Sequence, residues 1–314
     1  MSLRKQYKRT MTAVGAVLIL WVAFFKLFTL LPRMMSHLLS PLLNEVALEV
    51  TVSIVYGAAY MGAFMLSAFL FGLARKTEPM RLEIKLHGDS LAWIFGGIAC
   101  LFVFSYLNGI FMNLISIPDT GDIIKEAHKY MADYSIVLQF ITVAIVPAFC
   151  EEFLFRGVIL SNLMPYGKGL AIIVSSVLFG LMHGNFYQFL YTMAAGMILG
   201  LLYVLTDSIW CSVLMHLINN SLSVLQLAIY ERFAEEVAAK VWMMAEMTVF
   251  LIGIVSIAYL ITKYGKRQKA EKYAELGTVR EIDMNDTVKG FFNPAVIVFA
   301  VYSVAEAVMR LIYG

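Results

Sequence analysis

Nine apolar runs, most of them roughly twenty residues long and parted by short polar links, leave this chain few folds to choose from. They are Met11–Leu31, Val50–Leu73, Leu91–Ile115, Ile136–Leu163, Gly169–His183, Phe186–Leu205, Ile209–Tyr230, Val241–Ile261 and Phe291–Ile312. A helix of that length crosses the hydrocarbon of a bilayer, whereas strands there would have to close into a barrel. None of the runs alternates with period two. Of the 314 residues 61% are hydrophobic and 15% charged, far from the balance of a soluble domain. The expected fold class is all-α: a polytopic transmembrane helical bundle of about eight or nine spans. The first run is read as a retained span, because it is too long for a signal peptide and no small-x-small site follows it.

Arg4, Lys5, Lys8 and Arg9 precede that run and put the N-terminus in the cytoplasm by the positive-inside rule. Threading the chain from there leaves sixteen Lys and Arg on the inner side. Five lie outside: Arg33, Lys125, Lys129, Arg232 and Lys240. The expected location is the cell membrane, multi-pass. The basic residues then serve topology, and with a net charge of +2 and short loops no nucleic-acid partner is expected. Cys100, Cys150 and Cys211 fall within spans, so no disulfide framework is indicated. Cys150 adjoins Glu151 but reads as a small apolar filler. Lys26 is expected to snorkel from the end of its span, and Glu306 and Arg310, four residues apart, to neutralise each other. The link Ala74–Ser90 reads as a solvated anchor and Ser116–Tyr134 as an acidic outer segment with a short polar helix. Lys263 to Lys289 reads as a charged cytoplasmic linker drawn to anionic lipid.

One region departs from this pattern. Between Ile136 and Tyr230 four runs follow one another with very short links, and nearly all the intramembrane polar residues are concentrated there. The chain divides accordingly into N-terminal transmembrane helices (1–135), a four-helix core (136–230), and C-terminal helices with the charged linker (231–314). The core opens on Glu151-Glu152-Phe153-Leu154-Phe155-Arg156, where three ionisable groups meet in a dry setting that penalises any left unpaired. Glu152 and Arg156 are i,i+4 neighbours and can pair. Glu151 lies about 100° round the helix and needs another partner. The second element runs from Phe179 to His183, one aromatic ring a turn below an imidazole. The third runs from His216 to Asn220, both on one helix face.

Two chemistries suit this set. In one, Glu151 is a general base beside an imidazole and deprotonates water for attack on a peptide carbonyl, while His216 and Asn220 donate to the oxyanion. In the other, Glu151, His183 and His216 hold a divalent metal, zinc being the candidate, with a fourth position for water. Both hydrolyse an amide. A covalent nucleophile is not indicated, since no serine or cysteine of the core has a base at a telling spacing. A non-catalytic membrane immunity or binding protein and a proton-coupled carrier stand as alternatives. The carrier lacks the inverted repeat with matching broken helices that such folds show.

The pattern E-E-x-x-x-R, F-x-x-x-H and H-x-x-x-N, each on its own membrane helix, resembles the CPBP family, which comprises CAAX prenyl endopeptidases and bacteriocin-processing or self-immunity (Abi) proteins. The resemblance covers the stretch from Glu151 to Asn220, with no motif residue substituted. It implies an intramembrane peptidase, glutamate- or metal-dependent, acting on a membrane-bound or lipidated peptide. Glu151 and His183 would activate water, His216 and Asn220 would sit at the oxyanion, and Glu152, Arg156 and Phe179 would support the site. Depth is the difficulty. His183 falls near the outer end of its short span and His216 about two turns from the inner end of its own. The helices must tilt, break or re-enter for Glu151 to reach both.

Overall fold

The computed structural model describes residues 2–75, 86, 88–115, 135–264 and 284–313, and every regular element among them is helical. In chain order these are α1 (Leu3–Phe28), α2 (Leu30–Leu39), α3 (Glu45–Arg75), α4 (Ser90–Leu114), α5 (Ile136–Tyr166), α6 (Lys168–Met182), α7 (Phe186–Thr206), α8 (Ile209–Arg232), α9 (Glu235–Tyr264), α10 (Met284–Phe291) and α11 (Pro294–Tyr313). Eight long apolar stretches among the described residues could cross a membrane, one of them α1 continued into α2. The ninth expected run is α6, a shorter apolar helix. The polytopic helical bundle is therefore what this sequence folds into. The expectations for the middles of the three links (76–85, 116–134 and 265–283) concern segments outside the described residues.

The last run does form a helix and docks closely. Asn293 caps α11, its Oδ1 accepting from the backbone N–H groups of Ala295 (3.0 Å) and Val296 (3.2 Å). Pro294 then occupies the first helical position, where a missing N–H costs nothing. α11 lies against α1 so tightly that a Cβ on Gly15 would come within 2.6 Å of the Val296 backbone nitrogen. Only a residue without a side chain permits that approach.

One sequence expectation is corrected at this contact. Lys26 donates to both carboxylate oxygens of Glu306 at 3.1 Å, across from α1 to α11. Tyr302 also donates to Glu306 (3.0 Å), and Arg310 stands farther off at 3.6 Å. The Glu306–Arg310 pair is thus not self-contained. The i,i+4 spacing was visible in the sequence, but the partner on another helix is the nearer one.

Apolar packing falls into two clusters. One joins α1, α3, α5, α6 and α11 through residues such as Leu18, Phe64, Phe155, Leu178 and Phe299. The other joins α4, α7 and α8 through Ile98, Leu101, Leu199 and Met215. The polar residues of the core lie where these clusters meet.

α5 is not a regular helix. It runs as α from Ile136, is π-helical over Phe140–Ile145, α again over Val146–Glu152, π-helical over Phe153–Leu160, and ends in a 3₁₀ turn at Met164–Tyr166. Such widened turns are frequent at functional sites. Glu151 lies on the short α segment between them. The break expected in the helix thus takes the form of two wide turns.

Candidate active site

Pro147 gives the local reason for the upper end of the site. It has no N–H to offer the carbonyl four residues back, that of Val143. Asn220 of α8 supplies the donor instead, its Nδ2 lying 3.1 Å from the Val143 oxygen. The neighbouring Asn219 donates to Asn220 Oδ1 (3.3 Å) and accepts from the Tyr191 hydroxyl (2.8 Å). Four polar groups from three helices are so linked into one chain. The Asn220 amide keeps a second N–H beyond the one directed at Val143.

One turn on, Glu151 and Glu152 have separate environments. Glu152 is fully buried. Its Oε1 accepts from Arg156 Nη1 (2.7 Å) and from His216 Nδ1 (2.9 Å). Arg156 also donates through Nη2 to the Gly196 carbonyl of α7 (2.9 Å), and its guanidinium lies over the Phe179 ring, 4.9 Å from the centroid. Glu152 and Arg156 thus tie α5 to α7 and α8 and orient the His216 imidazole. A carboxylate on Nδ1 fixes the orientation of the ring, leaving Nε2 to face outward.

Glu151 points the other way. Its Oε1 accepts from the Tyr60 hydroxyl of α3 at 2.6 Å. Its Oε2 is buried, accepts no hydrogen bond among the described residues, and stands 3.9 Å from His216 Nε2. That separation is too long for a direct hydrogen bond and suits one bridged by water. His183 ends α6, where its Nδ1 meets the Phe179 carbonyl at 2.8 Å, which leaves Nε2 as the other reactive nitrogen. The chain turns directly after it. Gly184 has φ +54°, a left-handed value, and a Cβ there would lie 3.1 Å from Glu306 Cγ. Asn185 then caps α7. Phe179 packs edge-on against Phe155, His183 and His216, so one ring sets the spacing of both imidazoles.

Glu151, Phe179, His183, His216 and Asn220 line a single cavity of about 80 Å³, together with Tyr191, Thr192, Asn219 and the apolar Leu101, Ala195 and Leu199. It has room for a few water molecules and the polar groups to hold them. Sequence reasoning placed these first five residues together, and the fold brings them together. Glu152 and Arg156 stand behind the cavity. Cys150 is buried and adds no group to the lining.

Three participants escaped the sequence reading. Tyr60 belongs to a span outside the region read as the functional core, although the spacing of Tyr56 and Tyr60 sets two hydroxyls on one helix face. Tyr191 and Asn219 stand at no spacing that marks them in the sequence. Asn220 is bound differently from the expectation, its amide directed in part at Val143. As for zinc, no three His, Cys, Asp or Glu side chains among the described residues are gathered as metal ligands. Glu151, His183 and His216 line the cavity without being drawn together to metal-ligand spacing.

Comparison with known proteins bears directly on this site. Residues 133–222 match the family model of the type II CAAX prenyl endopeptidase Rce1-like proteins, a CPBP family. The resemblance carried by the three motifs is thereby borne out for that segment. No curated protein and no solved structure matches the chain.

Proposed function

We propose, taking residues 133–222 as the core of an Rce1-like CPBP protease, that this protein hydrolyses a peptide bond of a membrane-associated or lipidated, CAAX-like substrate by means of water activated at Glu151. One observation carries the reading. The free oxygen of Glu151 and the imidazoles of His183 and His216 share one small polar cavity.

In the proposed reaction, water held between Glu151 Oε2 and His183 Nε2 gives a proton to the carboxylate as its oxygen bonds to the scissile carbonyl carbon. The oxyanion receives hydrogen bonds from protonated His216, supported by Glu152, and from the second N–H of Asn220. Glu151 then returns the proton to the departing amine as the carbon–nitrogen bond breaks. The core at 136–230 is the catalytic unit in this account, and 1–135 and 231–314 frame it. The N-terminus lies in the cytoplasm and the bilayer presents the substrate.

The test is comparative peptidomics of membranes from cells carrying the native protein or Glu151→Gln. Peptides cut only by the native protein are expected, and His183→Ala and His216→Ala should resemble Glu151→Gln. Identical peptide sets would overturn the hydrolase assignment. Metal analysis of the purified protein, before and after chelator, is expected to leave activity unchanged. Loss on chelation with return on adding zinc would assign the water to a metal instead.

A further inference from the structure

The two oxygens of a free carboxylate are equivalent, yet those of Glu151 are not. Oε1 is held by the Tyr60 hydroxyl at 2.6 Å, a length typical of a hydroxyl donating to an ionised acceptor. Oε2 has no such partner among the described residues and is the one near His216. Tyr60 itself does not line the cavity. It reaches Glu151 from α3, a helix outside residues 133–222.

The phenol is also held firmly. Its ring stacks on Phe64 at 4.9 Å and meets the edge of Phe25 from α1 at 5.7 Å, while Trp21 of α1 packs on Phe64 at 5.3 Å. An aromatic group built from two helices therefore fixes where the hydroxyl stands. Removing only that hydroxyl leaves the ring packing intact.

We propose that Tyr60 is a positioning residue for hydrolysis: by engaging one oxygen of Glu151 it aims the other into the cavity and selects it as the proton acceptor. The inference rests on the endopeptidase reading above. It extends the working site to the N-terminal helices, since α1 and α3 would set the orientation of a base carried by α5.

The test is Tyr60→Phe in purified full-length protein. A hydrogen bond to a charged group, lost from a site whose geometry must be held, is expected to lower kcat about ten- to a hundredfold. KM should stay within about twofold, because Tyr60 does not meet the substrate. The thermal midpoint should match that of the native protein. In a Glu151→Gln background the same change should reduce the residual rate no further. Native kcat in Tyr60→Phe, or an equal fall in both backgrounds, would overturn the proposal while leaving hydrolysis by Glu151 untouched. A native protein that cleaves nothing would instead sink the endopeptidase reading. The positioning contact would still be decided by infrared spectroscopy without substrate: the carboxylate bands removed by Glu151→Gln should shift in Tyr60→Phe, and unshifted bands would overturn it.

Discussion

Glu151→Gln is expected to lower the rate of peptide cleavage about a hundred- to ten-thousandfold, the range in which a positioned general base contributes. The substitution is nearly isosteric. An amide still accepts from Tyr60 through its oxygen, so the helix contacts of α5 with α3 survive and folded yield should be near native. What disappears is the capacity to take a proton at the position 3.9 Å from His216 Nε2. Rates on a quenched peptide in detergent or vesicles, with thermal unfolding measured alongside, separate the two properties. Retention of native turnover would remove the central role given to this carboxylate.

Arg156→Ala is expected to fail differently, in folding before chemistry. Arg156 and Glu152 are both essentially fully buried, and the guanidinium serves Glu152, the Gly196 carbonyl and the face of Phe179 at once. Deleting it leaves a carboxylate in an apolar interior with only the His216 N–H for company. Breaking a buried pair from one side costs about 3–5 kcal/mol. That is a large part of the margin by which a typical domain stays folded. Folded yield and thermal midpoint should drop sharply, and the surviving protein should be slow because His216 loses its orientation. Replacing both partners, as in Glu152→Gln with Arg156→Met, should recover part of the yield without recovering the rate. Native yield for Arg156→Ala would show that the pair carries no structural weight.

The membrane class and the cavity lining were legible because they depend on composition and on short spacings. Runs of apolar residues fix a helical bundle. Offsets of four along a helix fix which side chains share a face, as for His216 and Asn220. The resemblance carried by the three motifs added the association of Glu151 with both histidines, which spacing alone does not supply.

What stayed hidden depends on contacts between distant helices. Tyr60 meets Glu151 across 91 positions of chain and Lys26 meets Glu306 across 280, and no local pattern announces either. The widened turns of α5 lie between these cases. A proline such as Pro147 frees the carbonyl four residues before it, but nothing near it announces that the Val143 carbonyl finds its donor in Asn220. The separation that straight helices would put between Glu151 and the two histidines is not found in the fold, where all three line one cavity.

Those widened turns have a consequence for how such a site can be lost or regained. Each houses a residue more than an ordinary turn would, so excising one residue from Phe140–Ile145 can leave α5 continuous and still long enough to cross the bilayer. The turns on either side would keep their phase, because the extra residue is absorbed where it sits. Only the turn that carries the Val143 carbonyl would tighten, and its contact with Asn220 would be lost. A single codon's deletion, silent to hydropathy and to helix content, would thus cut one tie between α5 and α8 at the cavity while sparing every motif residue.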